Sequence, residues 1–469
     1  MFVGRKDELS ALEKLYARDS FQLVVMYGRR RVGKTTLINE FIKNKPSIFF
    51  VAGEANDFIN IEMFSQKIYG FFDIPLSTGS FKNWADAFDF IAEKAKEKRF
   101  ILVIDEFPYA ASGNKSLKSI LQNVIDHKLK NTNLFMILCG SQISFMENDV
   151  LGYKSPLFGR RTAQLKIEGF DYYDAARLMT GYGNEDKIKL YSCIGGTPHY
   201  LSQIDHSLSF EDNMKELYFN VAGYLYDEPM MLLQQELREP AMYNSIISAI
   251  ASGASRLNDI STRIGEDTAK TIKYINTLLN LKILRKEFPF GDNPANSRKG
   301  IYKISDNCYS FWYRFIFPNK PGIEQGVGGV IAEKNVFPNL PAYIGKPPFE
   351  DICRQYVIRQ NRQGRLPFIA TDFGCWWGND HKEKKQADVD VVADSKADKK
   401  ILLGECKWRN NLDDVSEIKA LMEKTYLFPG YEEYYFMLFS KMPYSDAARR
   451  LEETYSNLKL VTLDMLFEE

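Results

Sequence analysis

The chain lacks the residue patterns that build metal cages and covalent frameworks. Its six cysteines (139, 193, 308, 353, 375 and 406) are widely spaced, include no CxxC pair and are accompanied by only four histidines. This excludes a zinc-finger layout and a disulfide scaffold, and it suits a reducing compartment. No apolar run approaches the length of about 20 residues that a membrane span requires. The N-terminus, MFVGRKDEL, is charged from its fourth residue and lacks the apolar core of a secretory signal. A cytoplasmic protein without membrane contact is therefore expected. Excess charge is absent as well, because 61 Lys and Arg face 61 Asp and Glu. The molecule as a whole exerts no pull on nucleic acid, so a basic face must be sought locally. No internal repeat and no low-complexity tract stands out.

What remains is ordinary globular composition, 45% hydrophobic and 26% charged, over 469 residues. That length exceeds what one hydrophobic core serves, so several domains are expected. From Phe21 to Leu138, short apolar strands alternate with amphipathic segments, the pattern of a doubly wound α/β sheet. The expected strands are Gln22 to Tyr27, Ser47 to Ala52, Phe100 to Ile104 and Leu134 to Leu138. Residues 1–168 form this core, and 169–238 read as a helical lid broken at Gly195, Gly196 and Pro198. Residues 239–317 give three helices and a two-strand hint, the outline of a winged helix. The Pro- and Gly-rich stretch 318–340 reads as a linker. Residues 341–469 open with a helix and continue as ADVDVVAD, ILLGECKW and YYFMLFS, the strands of a separate α/β unit.

GRRRVGKT, Gly28 to Thr35, fits GxxxxGK[ST] between an apolar strand and a helix. Glycines are needed where backbone amides must wrap phosphate, since a Cβ would block the approach. ATP with Mg²⁺ is the expected ligand, cradled by Gly28, Arg29, Arg30, Arg31, Val32, Gly33, Lys34, Thr35 and Thr36. Lys34 would reach the β- and γ-phosphates, and the Thr35 hydroxyl would ligate the metal. In ILVIDEFPY an apolar strand ends in Asp105, a metal ligand through water, and Glu106, the group that would polarise the attacking water. The strand LFMILCGS ends in Ser141, a γ-phosphate sensor or simply an N-cap. Arg160 and Arg161 in SPLFGRRT are candidates for stabilising transition-state charge.

FVGR at residues 2–5, GRRRVGKT, VIDEFPY, CGSQISFM, SPLFGRRT and IGGTPHYL together resemble the archaeal-type ATPases of the AAA/STAND group, including members with a C-terminal DUF234 domain. The resemblance implies that Val3 and Arg5 lie near the adenine and that the Gly195, Gly196 and Pro198 turn approaches the nucleotide. It gives His199 no role.

Residues 254–303 hold ten Lys and Arg against five Asp and Glu. Lys270 and Lys273 fall on the expected recognition helix, with Arg298 and Lys299 near the wing tip, a distribution suited to DNA phosphates or to a solvated packing face. In the last unit, Asp390 and Glu405 on neighbouring strands could share a divalent cation, and Lys407 lies on the same face as Glu405 because strand side chains alternate. The set resembles the PD-(D/E)xK restriction-endonuclease fold, which adds Glu350; Asp388 is a competing ligand, and the same fold serves as a non-catalytic binding module elsewhere. Trp376, Trp377 and Trp408 could stack on bases or fill the core. Two partner classes follow: DNA for an ATP-controlled processing protein, or a homo-oligomer or partner protein for a signalling switch.

Overall fold

The computed structural model describes residues 2–237 and 239–468, and the chain divides into two compact units. The first comprises Met1–Gly169 with Thr197–His199, the second Phe170–Gly196 with Tyr200–Glu469.

In the first unit five strands form one parallel sheet: β1 (Gln22–Tyr27), β2 (Ser47–Val51), β3 (Ile101–Asp105), β4 (Phe135–Gly140) and β5 (Ala163–Lys166). Their order is β2-β3-β4-β1-β5. Alternation sends Leu23, Val25 and Tyr27 into one apolar layer and Val24 and Met26 into the other. Both faces are covered, which is why β1 reads as a continuous apolar run. Strand β5 pairs with β1 in parallel. It was not anticipated because it is short, half-exposed and polar at alternate positions. After β1 the chain crosses to β2 at the far edge of the sheet. This leaves a crevice beyond the carboxyl ends of β1, β3 and β4, where ligands bind in open α/β sheets.

The second unit begins with helices, among them Asn184–Ile194 and Phe210–Tyr218. Three more, Pro240–Ala251, Leu257–Ile264 and Thr268–Asn280, precede an antiparallel hairpin of β6 (Leu284–Glu287) and β7 (Ile301–Ile304). A mixed five-stranded sheet ends the chain, with β8 (Asp372–Asp380), β9 (Lys385–Ser395), β10 (Lys400–Lys407), β11 (Glu433–Ser440) and β12 (Leu458–Val461). The order is β12-β11-β10-β9-β8. β8 to β10 run antiparallel in succession, and β10 to β12 are parallel. β8, a half-buried strand, and β12 were missed in the sequence.

The stretch expected to be a linker is helical. Lys320–Glu324, Gly328–Ile331 and Leu340–Ile344 are α-helical, and Ile323, Ala332 and Val336 are buried. The prolines here start helical turns, where a missing N–H costs nothing. A repeat also emerges. Phe-Pro-Asn occurs at 317–319 and again at 337–339, each a 3₁₀ turn following a π-helical turn. In both copies the asparagine side chain reaches back four residues, Asn319 to the Phe315 carbonyl at 2.8 Å and Asn339 to the Asn335 carbonyl at 2.9 Å. Proline cannot continue the helical ladder, and the side-chain amide supplies a donor nearby.

Candidate functional site

The glycine-rich loop leaves β1 and enters the helix Lys34–Ile42, whose N-cap, Gly33, has φ 86°. Arg31 is left-handed too, at φ 70°, so successive amides turn to the inside of the loop, the geometry of an anion nest. Gly28 is required for a different reason: a Cβ there would lie 2.0 Å from the Ile167 carbonyl oxygen. The position expected for a Cβ on Gly33 lies 3.8 Å from the Pro198 ring, so the 197–199 segment borders the loop. Lys34 is folded across the loop, donating to the carbonyls of Gly28 at 2.8 Å and Arg29 at 2.9 Å. Burial pulls its pKa down, while Cys139, Glu106 and Asp105 pull it up. Arg5, itself left-handed, donates to the Val32 carbonyl at 3.0 Å and to the Glu168 carbonyl, and pairs with Glu8. It thus ties the buried N-terminal segment around Val3 to the loop. Arg30 donates to the Tyr109 hydroxyl at 2.8 Å, and Thr36 is exposed.

The Thr35 hydroxyl donates to Asp105 Oδ2 at 3.0 Å, which joins the loop to the end of β3. Asp105 Oδ1 accepts the Glu106 amide at 2.9 Å, and Glu106 sits at φ 49° before the helix Phe107–Gly113. Pro108 in that helix packs where a Cβ of Gly140 would be, at 2.8 Å. This close approach brings the end of β4 to Glu106. Ser141 donates from its hydroxyl at 2.8 Å and its amide at 3.2 Å, both to Glu106 Oε2. A hydroxyl and a carboxylate oxygen side by side are hard donors of the kind Mg²⁺ takes, so the residues fit the expected nucleotide and metal. Cys139, near the end of β4 and two residues before Ser141, is a buried neighbour of the site that the sequence did not single out. Its buried thiol is raised by desolvation and by Asp105.

The arginine pair divides. Arg160 binds Asp126 through Nε at 3.0 Å and also donates to the carbonyls of Pro156 and Phe158. The Arg160 and Lys130 hydrogen bonds hold the Asp126 carboxyl down at about 2. In this structure the Arg160 guanidinium is engaged by a surface carboxylate rather than by the glycine-rich loop. Arg161 is different: its charge is felt at the Tyr27 hydroxyl, one residue before Gly28.

In the second unit the antiparallel β9/β10 register ends at Gly404 opposite Val391, which sets Asp390 beside Glu405. Asp390 Oδ2 accepts the Cys406 amide at 2.9 Å. Its carboxyl is pushed up to about 8 by burial, then by Glu350 and Glu405. Glu350, the first residue of the helix Glu350–Arg362, is raised as well, again chiefly by burial. Glu405 is already neutralised: Lys407 lies 2.7 Å from one oxygen and Lys424 2.9 Å from the other. Lys407 also meets Glu417 at 3.0 Å, and Lys346 bridges Asp388 at 2.8 Å and Glu350 at 3.4 Å. Among the described residues, no group of three or more His, Cys, Asp or Glu is arranged to hold a metal ion. Ammonium groups thus already answer the Glu405 half of the expected Asp390 and Glu405 pair. Neither Lys424 on Glu405 nor the reach of Lys346 to Asp388 could be found from spacing, since these partners lie 19 and 42 residues apart.

The tryptophans are structural in part. Trp408 is buried against Phe349 at 5.1 Å, and Trp376 packs on Phe428 at 5.7 Å. Among the described residues, four of the ten cations in the basic segment are paired: Lys270 with Glu266, Lys299 with Asp292, Lys303 and Arg285 with Glu287. Arg285 continues to Asp351 at 2.6 Å, Asp351 pairs with Arg354, and Arg354 donates to the Asp390 carbonyl at 2.9 Å.

Comparison with known proteins agrees with this geometry. Residues 2–204 match a family described as an ATPase domain predominantly from Archaea, and residues 312–420 match DUF234, archaeal and bacterial proteins of unknown function. An uncharacterised protein of Methanocaldococcus jannaschii is 31% identical over 446 residues, 94% of this chain and 96% of its own length. An uncharacterised ATP-binding protein of the same organism is 53% identical over 45 residues, 10% of this chain and 76% of its own. Among solved structures, a Walker-type ATPase of Pyrococcus abyssi superposes with a TM-score of 0.51 at 20% identity, over 67% of this chain and 96% of its own, a likeness of fold. The chain belongs to the archaeal-type P-loop ATPases that carry a C-terminal DUF234 region.

Proposed function

We propose that the protein binds ATP with Mg²⁺, hydrolyses it, and uses the nucleotide state to control a C-terminal module that handles nucleic acid. The observation that carries the first part is the 3.0 Å hydrogen bond from Thr35 to Asp105, which draws loop and strand end together. Lys34, Thr35 and the amides of residues 28–35 would hold the triphosphate. Lys34 would exchange its two carbonyl partners for phosphate oxygens, which answer its charge more strongly. Magnesium, when bound, would neutralise charge on the phosphates and be held by Thr35 and, through water, Asp105. Glu106, oriented by the Ser141 hydroxyl and amide on its Oε2, would take the proton of the attacking water. Val3, Arg5 and Pro198 would border the nucleotide, and Arg161 would contribute charge beside the end of β1.

For the C-terminal unit, the helix-first mixed sheet with Asp390, Glu405 and Lys407 at one end supports a phosphodiester-processing fold. The three helices and hairpin before it support a winged helix. Lys407 and Lys424 on Glu405 favour a second reading, in which this fold is a non-catalytic interaction module of a signalling switch that acts through a partner protein or a homo-oligomer. ATP turnover measured with and without single- and double-stranded DNA tests the coupling. Lys34→Ala should abolish ATP binding, and Glu106→Gln should keep binding but stop turnover; normal hydrolysis by Glu106→Gln would end the assignment of the base. Plasmid incubated with Mg²⁺ or Mn²⁺ and the wild-type or Asp390→Ala protein separates the two C-terminal readings. Cleavage lost in the variant supports the nuclease, and equal absence of cleavage in every nucleotide state supports the switch.

A further inference from the structure

In the second unit a cleft of about 670 Å³ opens between the helix Pro240–Ala251, strand β7 and the second Phe-Pro-Asn segment. Its volume falls in the range of small-molecule sites, roughly 300 to 1,000 Å³. Its charged lining is of one sign, Lys303, Arg314 and Lys346, in a chain whose charges balance overall. Lys303 and Lys346 each lean on carboxylates, Glu287 at 2.7 Å and Asp388 at 2.8 Å. Arg314 makes a long 3.3 Å bond to the Ala251 carbonyl and, among the described residues, no carboxylate pair. Its side chain is exposed, so most of its donor fork is available. The rest of the wall is mainly apolar, with the rings of Tyr302 and Tyr343 on it.

Two of the three cations are held by carboxylates outside the lining, and the third, Arg314, leaves a charge that calls for an anion; a planar guanidinium matches phosphate in particular. Inorganic phosphate alone would leave the apolar wall and the tyrosines wet. A phosphate carrying an aromatic base answers both halves of the cleft, since bases stack on aromatic rings and on guanidinium planes. We propose that this cleft is a second nucleotide site, distinct from the glycine-rich loop, for a mono- or dinucleotide or the 5′-phosphorylated end of an oligonucleotide. A bound phosphate would compete with Asp388 and Glu350 for Lys346, so occupancy would alter the charge around Asp390. The proposal goes beyond the functional reading above and holds whether or not the C-terminal sheet cleaves anything.

The test is equilibrium binding to the full chain carrying Lys34→Ala, which disables the loop site, with turnover of each cleft variant measured in the chain that keeps Lys34. The probes are inorganic phosphate, AMP, the dinucleotide pApA and a 5′-phosphorylated single-stranded hexanucleotide. Arg314→Gln removes one charge, and Ala342→Trp fills the cleft from an exposed wall position. Both variants should keep wild-type ATP turnover, which reports an intact fold. A nucleotide probe should bind more tightly than phosphate, lose about tenfold in affinity in Arg314→Gln, and lose measurable binding in Ala342→Trp. Preference for AMP or pApA identifies a small free ligand, and preference for the hexanucleotide identifies a strand end. Binding of all probes unaltered in both variants, phosphate bound as tightly as any nucleotide, or no binding at all would each overturn the proposal.

Discussion

Ser141 spends both its hydroxyl and its amide on a single oxygen of Glu106, Oε2, at 2.8 and 3.2 Å. The strand-end serine and the expected base are thus one unit before any phosphate arrives. Ser141→Ala removes the stronger donor and leaves the amide. ATP affinity should stay within about twofold, while kcat falls about tenfold or more, because the group lost orients the base rather than the nucleotide. Nucleotide titration and steady-state turnover check this. A raised KM with unchanged kcat would show instead that Ser141 only binds.

The two adjacent arginines should separate in the same assay. Arg160→Ala breaks a surface pair with Asp126, worth about 1 kcal/mol or less, and turnover should stay within about twofold. Arg161→Ala removes a positive charge felt at Tyr27, beside the start of the loop, and should lower kcat about tenfold or more. Equal losses in both variants would contradict the assignment.

Gly28→Ala places a Cβ 2.0 Å from the Ile167 carbonyl oxygen, and backbone cannot step aside cheaply. We expect a loss of about 3 kcal/mol or more, with β5 forced from β1. Urea denaturation of variant and wild type gives the comparison, and an unchanged midpoint would refute it.

Asp390 gives a pH dependence of defined sign. Its folded carboxyl titrates at about 8 because it is buried beside Glu350 and Glu405, whereas an unfolded aspartate titrates near about 4. Between those values the folded chain keeps a proton that the unfolded chain has released, so this group lowers stability as pH rises through the window. Asp390→Asn cannot ionise. Its gain over wild type should be larger at pH 8 than at pH 5 by at least about 1 kcal/mol. Parallel stability profiles for the two proteins would rule it out.

Much of the first unit was readable because its signals are local. β1 lies at Gln22–Tyr27, where an apolar run precedes glycines, and Thr35 meets an acid that ends another apolar run. Alternation along β10 likewise placed Glu405 and Lys407 on one face. Partners that arrive from elsewhere in the chain were not readable. Nothing near Glu405 announces Lys424, and nothing near Glu350 announces that Lys346 also reaches Asp388. The helices at 320–344 were hidden because proline and glycine signal breaks only when the intervening apolar residues find no core. Here Ile323, Ala332 and Val336 do find one.

The chain of charges from Glu287 through Arg285, Asp351 and Arg354 to the main chain of Asp390 bears on how the hairpin of β6 and β7 can act. Pulling the hairpin away would strand partly buried ions on both sides, and breaking one such pair costs about 3 to 5 kcal/mol. The hairpin is thereby tied to the helix Glu350–Arg362. Whatever pushes on it displaces the helix Glu350–Arg362 in the same stroke, and the strand bearing Asp390 registers the push.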